Sequence, residues 1–82
     1  MDHEEKRMRW ASRRGMLELD LILEPFLRDC FATLTDLDKA RYRALMESQD
    51  QDLFAWFMKK EVPTDPELRS IVDTILLAIR QK

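Results

Sequence analysis

One glycine in 82 residues constrains this chain more than any other feature. Gly15 stands in Arg13-Arg14-Gly15-Met16-Leu17-Glu18-Leu19-Asp20, with a basic run before it and an apolar helical run after it. Glycine loses more conformational freedom on folding than other residues, and it costs up to ~1 kcal/mol inside a helix. A chain that uses it once places it where a side chain cannot sit. That place is a left-handed helix end, or a point where another backbone approaches closely.

On either side of Gly15 the pattern is helical. From about Glu4 to Arg13 the chain is charged and helix-prone, with Met8, Trp10 and Ala11 as its apolar members. Glu5 and Arg9 form a favourable i,i+4 pair. Lys6, Arg7, Arg9, Arg13 and Arg14 gather towards the C-terminal end, where cations suit the helix dipole. Trp10 reads as a core anchor or an exposed contact, and a small domain rarely leaves a tryptophan unused, which favours the core. The second predicted helix runs from about Met16 to Phe31 or Ala32. Leu19, Ile22, Leu23, Phe26, Leu27 and Cys30 make its apolar arc, and Asp20, Glu24 and Arg28 a polar row. At ~100° per residue Glu18 falls on the other flank of that arc. Pro25 removes one backbone hydrogen bond and predicts a kink rather than a break, because the apolar spacing continues through it.

Thr35 is the expected N-cap of a third helix, about Asp36 to Glu47, which carries Leu37, Ala40, Ala44 and Leu45 inward. Asp50 is the expected cap of a short fourth helix. Leu53, Phe54, Trp56, Phe57 and Met58 make that helix apolar almost all round, so it is deeply packed or offers an aromatic surface to a partner. After the linker Lys59-Lys60-Glu61-Val62-Pro63, Asp65 before Pro66 signals a helix start. Leu68, Ile71, Val72, Ile75, Leu76 and Ile79 then recur at helical spacing. No β alternation of useful length occurs. The expected fold is one all-α domain over 1–82, a compact antiparallel bundle of five helices.

Composition removes several function classes. A net charge of -2 argues against a nucleic-acid binder or a binder of acidic membranes. No apolar run approaches the ~20 residues of a membrane span. The start, Met1-Asp2-His3-Glu4-Glu5, has no apolar signal core, so the protein is expected to stay in the cytoplasm where it is made. Cys30 is the only cysteine, which excludes an intramolecular disulfide and a cysteine-rich metal site, and it reads as a small buried hydrophobe. His3 is the only histidine and lies in a terminus without a frame for catalysis. Usable histidine, cysteine pairs and glycine-rich phosphate loops are absent, and Asp20/Glu24 and Asp50/Asp52 read as solvated faces and caps. The chain is not expected to be an enzyme.

What remains is the junction at Gly15. Arg14 and Glu18 stand four apart. In a continuous helix they would share a face within ion-pair reach, and such a surface pair is worth under ~1 kcal/mol. If Gly15 breaks the helix, they project from two different helices near one exposed corner.

Arg14-Gly15-Met16-Leu17-Glu18 resembles the RGxxE motif of the small succinate dehydrogenase assembly factors, the SdhE-type flavinator family. The likeness extends to Trp10 upstream, to Glu18-Leu19-Asp20 running on to Pro25-Phe26, and to Leu45-Met46-Glu47 followed by Asp50-Gln51-Asp52-Leu53-Phe54-Ala55-Trp56. It covers nearly the whole chain. Gln51 departs from the family pattern, where proline is expected in many relatives, and this concerns a helix start only. The resemblance implies a five-helix protein that binds the flavoprotein subunit of succinate dehydrogenase, and of fumarate reductase, and promotes its covalent flavinylation with FAD. The covalent bond is to a histidine of the client, so no FAD is expected to stay on this chain, which is expected to be a monomer when free. Arg14, Gly15 and Glu18 are the implied contact patch, with Arg7, Trp10, Met16 and Asp50 around it. Two other readings stand beside this one. A regulatory or antitoxin-like binding protein would use the same surface. A nucleic-acid-binding helix built on Lys6, Arg7, Arg9, Arg13 and Arg14 would bind with strong salt dependence.

Overall fold

Capping chemistry sets where the helices begin and end. The computed structural model describes residues 16–80, and within them the chain forms four α-helices and no strand. They are α1 (Leu17–Cys30), α2 (Asp36–Leu45), α3 (Asp50–Phe57) and α4 (Pro66–Arg80), with a 3-10 turn at Phe31–Thr33. These are the second to fifth predicted helices; the first, about 4–13, lies outside the described residues.

Met16 is extended (φ -114, ψ 117), and its carbonyl accepts the first amides of α1, from Leu19 at 3.1 Å and Asp20 at 3.2 Å. Glu18 and Asp20 lie in that first turn, where negative charge suits the helix dipole. The helix runs unbroken through Pro25. The carbonyl left without a donor belongs to Leu21, which lies on the exposed face, where solvent can serve. α1 stops short of the expected Phe31 or Ala32. The Thr33 hydroxyl donates to the Cys30 carbonyl at 2.7 Å and Leu34 N–H closes on Phe31 at 3.1 Å, tightening the chain into the 3-10 turn.

Thr35 caps α2 as expected, its Oγ1 accepting from Asp38 N–H at 3.1 Å. The helix faces another way than the sequence suggests. Leu37, Ala40 and Ala44 are exposed, whereas Tyr42, Leu45 and Met46 are buried. The cause is Tyr42. Its ring stacks on Phe26 (centroids 5.8 Å, interplanar angle 18°) and meets Phe31 edge-on (5.5 Å, 70°). Burying that ring against two others outweighs burying two alanines. The same rotation lets Arg41, which bonds Asp38 of its own helix at 3.0 Å, reach across to Glu67 of α4. Hydrogen bonds to Glu67, then to Asp38, raise the Arg41 guanidinium above its usual range, so it stays charged wherever the protein is folded.

Asp50 is the first helical residue of α3 and not its cap. That position falls to Gln49, whose extended backbone carbonyl accepts from Asp52 at 3.1 Å and Leu53 at 3.0 Å. Leu53 and Phe57 are buried and Phe54 and Trp56 half-buried, so the aromatic helix is core on one side only. After it, Lys59 adopts φ 60, the left-handed region. Lys59 N–H bonds Trp56 at 3.1 Å and Lys60 N–H bonds Ala55 at 2.8 Å, the paired closure of a Schellman motif with lysine where glycine is usual. Asp65 starts α4, its Oδ1 accepting from Glu67 N–H at 2.9 Å.

Helix α4 packs against each of the other three helices, and α1 also packs against α3. Ile71, Val72 and Ile75 of α4 meet Leu19, Leu23, Phe26 and Leu27 of α1, Tyr42 and Leu45 of α2, and Leu53 and Phe57 of α3 in one apolar core. Cys30 packs on its edge, half-buried.

Tyr42→Ala is expected to lower unfolding free energy in urea by ~3–5 kcal/mol, and a loss below about 1 kcal/mol would contradict the aromatic packing. Lys59→Gly is expected to stabilise by up to about 1 kcal/mol, seen as a higher Tm. An unchanged or lower Tm for that variant would rule out the left-handed lysine.

Candidate partner-binding site

The N-terminal end of α1 carries what the described residues hold of the motif around Gly15. Met16, just before the helix, is half-buried and packs on the core. Its backbone therefore anchors the start of α1, and the residues after it inherit fixed directions. Glu18, one turn in, is exposed, and among the described residues it has no ion-pair partner. A carboxylate held on a helix end, pointing into solvent, is available to an incoming donor. Arg7, Trp10, Arg14 and Gly15 lie outside the described residues, so the geometry of the Arg14–Glu18 pair does not enter here. Asp50 is half-buried at the first position of α3, on a helix that packs against α1.

Two residues of this end were not among the sequence candidates. Leu17 and Leu21 are each 67% exposed, on the side of α1 turned away from the core. Their angular position, off the arc of Leu19, Leu23 and Leu27, was readable from the 100° step; an apolar residue outside the arc was the available signal.

The described residues contain no histidine, and no group of three or more metal-ligating side chains lies together among them. Lys59, Asp73, Leu76, Leu77 and Arg80 line a groove of about 150 Å³ beside α4, well under the ~300 Å³ from which ligand pockets generally begin. Among the described residues no helix is long and apolar enough to cross a membrane.

The described residues are thus all-helical or turn, and α1 opens with an exposed carboxylate. The chain belongs to the Sdh5 family, described as the flavinator of succinate dehydrogenase, whose model matches residues 6–78. This is a family of assembly factors and not of catalytic enzymes. The FAD assembly factor SdhE of Pseudomonas aeruginosa is 51% identical over 71 residues, spanning 87% of this chain and 84% of that protein. The FAD assembly factor SdhE of Shewanella oneidensis is 52% identical over 66 residues, 80% of each chain. In three dimensions the chain is similar to the solution structure of a UPF0350 protein, with a TM-score of 0.78 and 41% identity, covering 99% of this chain and 87% of that one.

Because Glu18 is exposed, Glu18→Ala is expected to change unfolding free energy by less than about 1 kcal/mol. A larger loss in thermal or urea unfolding would make it a structural residue and disqualify it as a contact residue.

Proposed function

We propose that this protein binds the flavoprotein subunit of succinate dehydrogenase and promotes its covalent flavinylation with FAD. Family membership across residues 6–78 carries this reading. The names of its relatives, FAD assembly factors, support it. Nothing among these relatives favours a regulatory or antitoxin-like role. The flavoprotein subunit of fumarate reductase is a second client in this proposal, and the chain acts in the cytoplasm as a monomer that keeps no FAD of its own. A compact antiparallel five-helix bundle in one domain, 1–82, is part of the same proposal.

The bond-forming chemistry belongs to the client and its flavin. This chain contributes binding: it holds the client's flavin domain in the arrangement that reacts. Favouring that arrangement by ~3 kcal/mol corresponds to ~100-fold in rate. Arg14, Gly15 and Glu18 are the contact patch. Gly15 admits the client backbone, and Arg14 and Glu18 present oriented charge to its polar groups. Met16 fixes the start of α1 behind them, and Arg7, Trp10 and Asp50 border the patch.

Cells lacking this protein, complemented with wild type, Gly15→Arg or Glu18→Ala, provide the test. Covalent flavin is read as fluorescence on the denatured client subunit, after circular dichroism shows each variant folded. Wild type is expected to restore the signal, and each folded variant to leave it reduced at least about tenfold, the effect of losing one hot-spot contact. Full restoration by the variants would remove the patch from the proposal. Failure of wild type would remove the function.

A further inference from the structure

Leu17 and Leu21 stand one turn apart on α1 and are each 67% exposed, while Leu19 and Leu23 on the same helix are 0% exposed. Single exposed leucines are ordinary on a protein surface. Two at i,i+4 make a continuous apolar ridge, and this one begins beside Glu18 at the helix end where the contact patch lies. Its borders are charged. Glu18 lies on one flank and Glu24, exposed, on the other, while Arg28, further along, is bonded to its neighbour Asp29 at 3.1 Å. An apolar centre with a charged rim is the usual anatomy of a protein contact.

We propose that the Leu17–Leu21 ridge is the apolar half of the client contact, and that it seats in an apolar depression of the flavoprotein subunit rimmed by lysine or arginine. This rests on the reading of Arg14, Gly15 and Glu18 as the client-facing patch, of which Glu18 adjoins the ridge on α1. The polar motif orients the client, and the leucines supply the water exclusion that makes its charged contacts strong. Glu24 faces the basic rim and steers association.

The test is titration of the purified, FAD-free flavoprotein subunit of succinate dehydrogenase into the full chain. The variants are Leu17→Gln/Leu21→Gln, Glu24→Lys and Glu18→Ala. Glutamine keeps nearly the helix propensity of leucine, so the double variant leaves the helix intact. It is expected to bind at least about tenfold more weakly, with a Tm within about 2 °C of wild type. Glu24→Lys is expected to slow association, most clearly at low salt. If the double variant binds like wild type while Glu18→Ala binds weakly, the ridge is no contact and the patch stands. If neither variant weakens binding, the patch falls too. A Tm loss above about 5 °C in the double variant would mean that the leucines pack on the chain's own residues, and would overturn the proposal. Absence of wild-type binding would overturn both.

Discussion

Tyr42 sets the geometry on which the rest of the structure depends. Fully buried between Phe26 and Phe31, it locks the rotation of α2 against α1 and the turn that follows it. That rotation has consequences at both ends. It carries Arg41, already paired with Asp38 one turn back, to Glu67, tying α2 to α4. It also holds α1 by its inner face, with Leu19, Leu23, Phe26 and Leu27 committed to the core. The opposite face of α1, with Leu17, Glu18 and Leu21, is left outward. The packing around one tyrosine thus helps to set which residues of α1 and α2 face outward.

Much of this was legible from residue order. Thr35 and Asp65 act as caps because their oxygens are placed to accept the amides of the first helical turn, a local property that needs no tertiary information. The apolar spacing of α4 and of α1 marks the faces that hold their buried residues, although Ile79 at the end of the α4 row is exposed. The rotation of α2 was not legible by the same means. Leu45 is buried as expected, but Leu37, Ala40 and Ala44 form as regular a row as the true inward face does, and counting spacing does not weigh a tyrosine ring against two alanine methyls. The end of α1 and the start of α3 turn on competition between neighbouring groups: the Thr33 hydroxyl in one case, the Gln49 carbonyl in the other. Of the site, Glu18 was placed rightly off the arc, whereas Leu17 and Leu21 shared the same geometric signal and went unused. Arg7, Trp10, Arg14 and Gly15 rest on the motif alone.

With one glycine the chain has no glycine-rich phosphate loop, and what its core supplies is a helix end held in place. Rigidity matters because a partner that reshapes another protein transmits only what its differential binding allows. The core behind Met16 and Leu19 provides that rigidity, and on the proposed reading the charged and apolar groups in front of it meet the client.

Reconstitution of flavinylation from purified FAD-free client, FAD and this chain tests the central claim most directly. The account predicts that covalent flavin appears on the client faster with the chain than without it, and that after denaturation all covalent flavin migrates with the client. An unchanged rate across a range of chain concentrations, or covalent flavin on this chain itself, would contradict it.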